Sequence, residues 1–151
     1  MSTLQPFVVV ISLVGEKERR RGVSRLIKDR GWSFEFLEVT RHQDGPVTGI
    51  FESHILALEK VANDPSPRVG IVFEDDATVG KWFSPSTLQS VLSEFEASSM
   101  DMCYLGSNDI PSSSTHMMSP HLMSQRSTAT HAIAYRKKSI SSILSHIDRK
   151  S

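Results

Sequence analysis

An apolar stretch from Gly70 to Phe73 runs directly into three consecutive carboxylates. These are Glu74, Asp75 and Asp76. A short run rich in Ile, Val and Phe is typical of a buried strand, and open α/β sheets bind ligands beyond the carboxyl ends of their strands. Like charges repel, and such clusters are commonly neutralised by a hard divalent cation that shares its oxygen ligands with substrate phosphates. The segment indicates a metal and diphosphate site, and the alternative is a solvated turn after a strand.

Strand-like and helix-like patterns alternate along the rest of the chain, which favours an α/β fold in a single domain over residues 1–151. We predict strands at Phe7 to Leu13, Ser33 to Val39, through Gly70 to Phe73, at Asp101 to Leu105 and at Ala129 to Tyr135. We predict helices from about Glu16 to Arg30, from Thr48 or Gly49 to just before Asp64, from Ser84 and Pro85 through Phe95, and over Ile140 to Ile147. Residues 106–128 show no apolar period, and we expect a mobile loop there.

Composition excludes several classes of function. Lys plus Arg and Asp plus Glu number 17 each, so no overall field attracts nucleic acid, although Arg19 to Arg21 form a local basic cluster. No segment approaches the roughly 20 apolar residues that cross a bilayer, and the strand at Phe7 lacks the flanks of a signal peptide. The single Cys103 lies in an apolar segment, and a buried structural thiol in a reducing compartment is the favoured interpretation. We expect a cytoplasmic protein without a membrane span.

The order of these motifs resembles glycosyltransferase family 25, the lipopolysaccharide and lipooligosaccharide galactosyltransferases. The opening strand with Arg19 and Arg20 resembles the start of the family. The segment from Gly49 to His54 resembles the family's Gly-Cys-x-x-Ser-His motif, with Ile50 in place of Cys. The segment from Phe73 to Ala77 resembles the family's Leu-Glu-Asp-Asp-Ala motif. Tyr104-Leu105-Gly106, followed by Thr130-His131-Ala132, resembles its later pair of strands.

The resemblance implies a GT-A type nucleotide-diphospho-sugar fold and inverting transfer of a hexose, galactose or glucose, from a nucleotide donor, most simply a UDP-hexose. The acceptor would be a hydroxyl of a glycan, a lipid-linked molecule or a protein, as in lipopolysaccharide biosynthesis. The expected cofactor is Mn²⁺ or Mg²⁺, because a divalent ion held by carboxylates stabilises the departing diphosphate.

The resemblance also implies roles for individual residues. Alternation along the strand places Glu74 and Asp76 on one side and Asp75 on the other, so we assign Asp76 as a direct metal ligand and Asp75 as a second candidate ligand. The donor-binding residues are expected to be Ser12, Leu13, Arg20, Ser53, His54, Glu74 and Asp75.

Other interpretations stay open for several of these residues. His54 also fits a core histidine, and the arginines fit a solvated helix face. We interpret Thr130 and His131 as structural residues at a strand end. For the general base that deprotonates the acceptor, position in the chain offers Asp109, with Asp101 as the alternative.

Family members continue beyond the strand at Thr130, whereas this chain ends at Ser151 after one more helix. The donor half would then be present and the acceptor side incomplete unless a second chain in an oligomer supplies it. We expect binding of the donor with slow transfer. The alternative is a non-catalytic domain that binds a nucleotide sugar or a partner. A phosphohydrolase is disfavoured because no second carboxylate cluster is evident.

Overall fold

Strands and helices alternate from residue 7 to residue 104, as the hydrophobic pattern predicts. The computed structural model describes residues 4–65, 68–78, 84–106, 116–124 and 131–148. In these ranges the strands are β1 (Phe7–Leu13), β2 (Phe34–Val39), β3 (Val69–Glu74), β4 (Met102–Tyr104), β5 (His116–Met117), β6 (Met123–Ser124) and β7 (Ala132–Arg136). The helices are α1 (Lys17–Lys28), α2 (Pro46–Asn63), α3 (Pro85–Ala97) and α4 (Lys137–Asp148). None of the described helices has both the length and the apolar character needed to cross a membrane.

The main sheet is mixed, with the strand order β2-β1-β3-β7-β4 in the described residues. Strand β1 lies parallel to both β2 and β3, whereas β7 is antiparallel to β3 and to β4. The carboxyl ends of β1, β2 and β3 therefore meet the amino end of β7 at one edge of the sheet, which we call the carboxyl edge.

Helices cover both faces of this sheet, because alternate residues of its strands are apolar on both sides. Helices α1 and α3 pack on one face, and α2 and α4 pack on the other. The first cluster contains Val8, Val10, Val23, Ile27, Ile71, Phe73, Leu88, Leu92 and Phe95. The second contains Val9, Ile11, Ala57, Leu58, Val61, Val72, Ile133 and Ile140. The described residues thus form a compact three-layer α/β domain with β1 and β3 at its centre.

Gly70 allows α2 to approach β3 closely. A Cβ added to Gly70 would overlap the Cγ1 atom of Val61, a fully buried residue of α2. The absence of a side chain on Gly70 is therefore a packing requirement of the α2 face.

Two regions differ from the sequence-based expectation. Helix α2 begins at Pro46 instead of Thr48 or Gly49, because Gly45 takes a positive φ of 99° and proline is compatible with the first helical position. In residues 106–128 the sequence predicts no regular element, but His116 to Ser124 form the β5–β6 hairpin. Its strands of two residues each are too short to give a readable alternation.

Cys103 lies on β4, an edge strand of the main sheet, and its half-buried side chain packs against the first cluster. Burial raises the pKa of its thiol to about 11, so the group stays protonated near neutral pH. This agrees with the interpretation of Cys103 as a structural thiol.

Arg136, the last residue of β7, ties the sheet to the carboxyl end of α3. Its Nη2 donates to the carbonyls of Phe95 (2.8 Å) and Ser98 (2.6 Å), and its Nη1 donates to Glu96 O (3.1 Å). Its Nε donates to Met100 O at 2.9 Å, and the guanidinium carbon lies 5.4 Å from the centre of the Phe95 ring. One cation thus donates to four carbonyls at and just beyond the carboxyl end of α3.

We expect Arg136→Met to lower the free energy of unfolding by about 3 kcal/mol, because a charged donor is lost from several part-buried carbonyls. Urea unfolding followed by circular dichroism measures this. The matched control is Arg68→Met, since Arg68 is exposed and forms a single ion pair with Glu96 at 3.4 Å. That control should change stability by less than about 0.5 kcal/mol. Equal effects of the two substitutions would contradict the assigned role of Arg136.

The β5–β6 hairpin is attached to α3 through Glu94. Leu122 packs into the cluster beneath α1 and α3. The Glu94 carboxylate accepts hydrogen bonds from the Ser119 hydroxyl and from the backbone N–H of His121 (3.0 Å), and His121 Nδ1 lies 2.5 Å from Glu94 Oε1. The hydrogen bonds of His121 and then of Ser119 hold the pKa of the Glu94 carboxyl below its ordinary value.

A depressed carboxyl pKa stabilises the folded arrangement above the ordinary glutamate pKa of about 4.3, and this contribution is lost as the pH falls through the lower folded-state value. We therefore expect the hairpin to stay attached at pH 6 to 7 and to loosen below about pH 4. The methyl NMR signals of Leu122 and Met118 during a pH titration report this. Glu94→Gln should shift these signals already at neutral pH, and native signals throughout in that variant would contradict the attachment.

Candidate functional site

The end of β3 presents its carboxylates to opposite faces of the sheet. Ile71 and Phe73 face α1 and α3, and Val72 faces α2 and α4. Continuing this alternation, Asp75 points toward α1 and Glu74 points toward α2. The carboxyl edge therefore carries two arrangements, one on each face.

On the α1 face, Asp75 is a nearly buried anion whose side chain is 9% exposed. Its Oδ2 accepts a hydrogen bond of 2.7 Å from the Ser12 hydroxyl. Its Oδ1 lies 3.6 Å from Nη1 of Arg19, and its backbone N–H donates to Ile11 O at 3.1 Å. Because β1 and β3 are paired in register through Ile11 and Glu74, Ser12 and Asp75 lie side by side.

Arg20 extends this network to β2. Its Nε donates to the Ser12 hydroxyl oxygen at 2.9 Å, its Nη1 donates to Glu38 Oε1 at 2.7 Å, and its Nη2 donates to Leu13 O at 3.0 Å. The guanidinium also lies 5.3 Å from the centre of the Phe36 ring. Since Arg20 occupies an acceptor site of the Ser12 oxygen, the Ser12 proton is directed toward Asp75.

On the α2 face, Glu74 lies between two histidines. Nε2 of His54, on α2, is 3.2 Å from Glu74 Oε1, and Nδ1 of His131 is 3.3 Å from Glu74 Oε2. The same His131 nitrogen lies 3.2 Å from Asp76 Oδ1. His131 reaches this position because the antiparallel β7 continues its pairing beyond Ala132, with the Glu74 N–H donating to His131 O at 2.9 Å.

Glu74, Asp76 and His131 form a candidate metal-binding triad. One ligand atom from each lies within 4.8 Å of the others. Ligand atoms bound about 2.2 Å from one ion at right angles lie about 3.1 Å apart, close to the separations of 3.2 and 3.3 Å measured from His131. The three side chains are half-buried to exposed, which leaves room for further ligands from solvent or substrate.

Two members of the triad, Glu74 and Asp76, line a cavity of about 490 Å³, which we call the edge cavity. A volume of this size suits a small organic ligand. Its lining includes Leu13, Arg19, Val39, Thr40, His42, Pro46, Ile50, Ser53, His54, Glu74, Asp75 and Asp76. A second cavity of about 620 Å³ on the α1 side shares Arg19, Asp75 and Asp76 with it. Anionic and cationic side chains therefore meet at the boundary between two open spaces.

The structure brings most of the predicted site residues to the carboxyl edge. Ser53 and His54 line the edge cavity, although the Ser53 hydroxyl donates to Gly49 O of its own helix at 2.6 Å. The predicted base, Asp109, lies outside the described residues. The alternative base, Asp101, is at the opposite edge because β4 runs parallel to β3, and its Oδ1 accepts a hydrogen bond of 2.6 Å from Ser139. Asp101 is therefore not placed to act on a ligand in the edge cavity.

The position of His131 beside the acids is not evident from the sequence, and the two arginines of the predicted donor site differ in their surroundings. The sequence favours a structural role for His131 at a strand end, yet its ring contacts two of the predicted acids. Only the antiparallel pairing of β7 with β3 brings His131 to the acids, and the sequence does not reveal which strands pair. Arg19 lines the edge cavity, and Arg20 does not appear among the residues that line it.

Comparison with known proteins does not extend this picture. No protein-family model matches the chain, and no curated protein matches it. The resemblance to glycosyltransferase family 25 therefore stays a prediction from the motifs themselves.

We expect Ser12→Ala to lower the free energy of unfolding by about 1 to 3 kcal/mol, because it removes a hydrogen-bond donor from a nearly buried carboxylate. Chemical denaturation measures the loss. The matched control is Ser90→Ala, since Ser90 is on α3 and donates only within its own helix, to Ser86 O at 3.1 Å. If the two substitutions lower the free energy of unfolding by the same small amount, the Asp75 carboxylate does not depend on the Ser12 hydrogen bond.

Proposed function

We propose that this chain is a metal-dependent glycosyltransferase of the GT-A type, which moves a hexose from a nucleotide-diphosphate sugar, by preference a UDP-hexose, to an acceptor hydroxyl. The observation that carries the proposal is the convergence of Glu74, Asp76 and His131, of which Glu74 and Asp76 line the edge cavity. Acids at the carboxyl end of a central strand, beside a cavity of ligand size, are what a nucleotide-sugar site requires.

The donor set fits a particular kind of metal. Two carboxylates and one imidazole offer both oxygen and nitrogen ligands, whereas Mg²⁺ prefers oxygen ligands in a strict octahedron. The presence of His131 in the triad thus favours Mn²⁺ over Mg²⁺. A divalent ion bound there would offset the negative charge that develops as the nucleoside diphosphate leaves.

The side chains around the triad have supporting roles in this proposal. His54 orients the Glu74 carboxylate from the α2 side, at 3.2 Å, as a partner that itself need not touch the metal. Strand alternation directs Asp75 away from the triad and toward Ser12. We therefore place Asp75 beside the metal site as a supporting acid, and we retain Asp76 as the direct ligand.

The topology supports the location of the proposed site. Helix α1 follows β1 on one face of the sheet, and α2 leads to β3 on the other. The carboxyl ends of the adjacent strands β1 and β3 thus lie where the chain changes face and direction, the usual ligand crevice of an open α/β sheet.

We expect Asp76→Asn and His131→Ala each to weaken Mn²⁺ binding at least about tenfold, since the first removes the charge of one ligand and the second removes one ligand of the triad. Electron paramagnetic resonance of free Mn²⁺ measures binding of the metal, and calorimetry with UDP and Mn²⁺ measures binding of the donor product. The matched control is Glu59→Gln, which removes a charge from an exposed residue of α2. Unchanged Mn²⁺ affinity in both triad variants would refute the metal assignment.

Turnover distinguishes the transferase from the binding domain. With UDP-galactose or UDP-glucose and Mn²⁺, release of UDP that depends on an added acceptor supports transfer. Tight binding of the nucleotide sugar with no release of UDP would instead support a non-catalytic binding domain. Phosphate release that needs no acceptor would point to a hydrolase.

A further inference from the structure

We propose that Arg19 binds the diphosphate of the nucleotide-linked ligand, and that Arg20 is a positioning residue that does not contact it. This inference rests on the proposed function, because it assigns the anion-binding group of the same site. It also reverses the sequence-based preference for Arg20.

The hydrogen-bond donors of Arg20 are used by contacts within the protein. All three of its guanidinium nitrogens donate hydrogen bonds, to Ser12, Leu13 and Glu38, at 2.7 to 3.0 Å. Its side chain is 20% exposed, and its charge is paired with the Glu38 carboxylate. Turning Arg20 toward a ligand would break these bonds and leave the Ser12 oxygen without its donor, so the residue is suited to positioning.

Arg19 is held loosely by comparison. Its side chain is 54% exposed, and it forms two long ion pairs, with Asp75 Oδ1 at 3.6 Å and with Glu16 Oε2 at 3.9 Å. Both distances exceed the 2.7 to 2.9 Å of a charge-assisted hydrogen bond. The guanidinium therefore lies near two acids without a short hydrogen bond to either. It lies at the boundary of both open spaces.

The position of Arg19 beside Asp75 allows its guanidinium to contact Asp75 and a phosphate group at the same time. A planar guanidinium can keep one edge toward Asp75 while its other edge donates to two oxygens of a phosphate group. Asp75 is fixed by Ser12 on its far side, so it can orient Arg19 without moving. Glu74 and Asp76, which flank Asp75 in sequence, belong to the metal triad, so a diphosphate beside the ion would come next to Arg19. The ligand class is a diphosphate, free or attached to a nucleoside.

Arg21 provides a matched control on the same helix. It is the second residue after Arg19, its side chain is 71% exposed, and it pairs with Glu18 at 2.6 Å. Arg19→Gln and Arg21→Gln thus remove the same charge from α1, at positions only two residues apart. A general electrostatic effect on anion binding would act on both variants alike.

The test is calorimetry of the full chain and both variants with UDP and with inorganic pyrophosphate, each in the presence of Mn²⁺. We expect Arg19→Gln to weaken both ligands by about 10- to 100-fold and Arg21→Gln to change them by less than about twofold. Binding of Mn²⁺ alone, followed by electron paramagnetic resonance, should stay within about twofold in both variants, because Arg19 is not part of the triad.

Each other outcome has a distinct meaning. If the unsubstituted chain binds neither UDP nor pyrophosphate with Mn²⁺, the proposed function and this inference both fail. If it binds them and the two variants weaken binding equally, the proposed function survives and Arg19 is not the specific contact. If Arg19→Gln loses Mn²⁺ as strongly as it loses UDP, Arg19 acts on the metal acids instead, and the inference is overturned.

Discussion

The near-complete burial of the Asp75 carboxylate is the constraint on which the carboxyl edge depends. An anion 9% exposed costs several kcal/mol unless polar groups replace its water. Ser12 on β1 provides a short hydrogen bond, and Arg20 on α1 directs the Ser12 proton by donating to its oxygen. Glu38 on β2 then balances the charge of Arg20. One buried charge thus accounts for polar contacts among three strands and a helix.

Strand alternation separates this network from the open side of the site. Asp75 and Glu74 are adjacent in the chain, yet they face α1 and α2 respectively, so the structural network and the candidate triad do not compete for the same carboxylate. The Glu74 carboxylate is ordered by His54 on one oxygen and by His131 on the other. Two histidines, one on α2 and one directly before β7, therefore fix the position of the Glu74 carboxylate, a member of the candidate triad.

Much of the fold could be predicted from local patterns. The apolar runs gave the strands of the main sheet, and Ser84 with Pro85 gave the start of α3, where Ser84 does cap the helix by accepting from the Thr87 N–H. The position of His131 could not be predicted, because it depends on β7 pairing antiparallel with β3 across 55 residues of sequence from Asp76. The β5–β6 hairpin could not be predicted for a different reason, because its attachment depends on the tertiary contacts of Leu122 and Glu94.

The two arginines show why residue type alone does not assign a binding role. Arg19 and Arg20 are neighbours on α1, and about 100° of helical rotation separates their side chains. That rotation turns Arg20 over Phe36 toward Ser12 and Glu38, where its donors are used, and leaves Arg19 beside open space with its donors at longer range. A guanidinium whose donors are already used adds rigidity, whereas one held only by long ion pairs can exchange partners at little cost. The assignment of a ligand contact therefore follows from counting which donors the fold has already used.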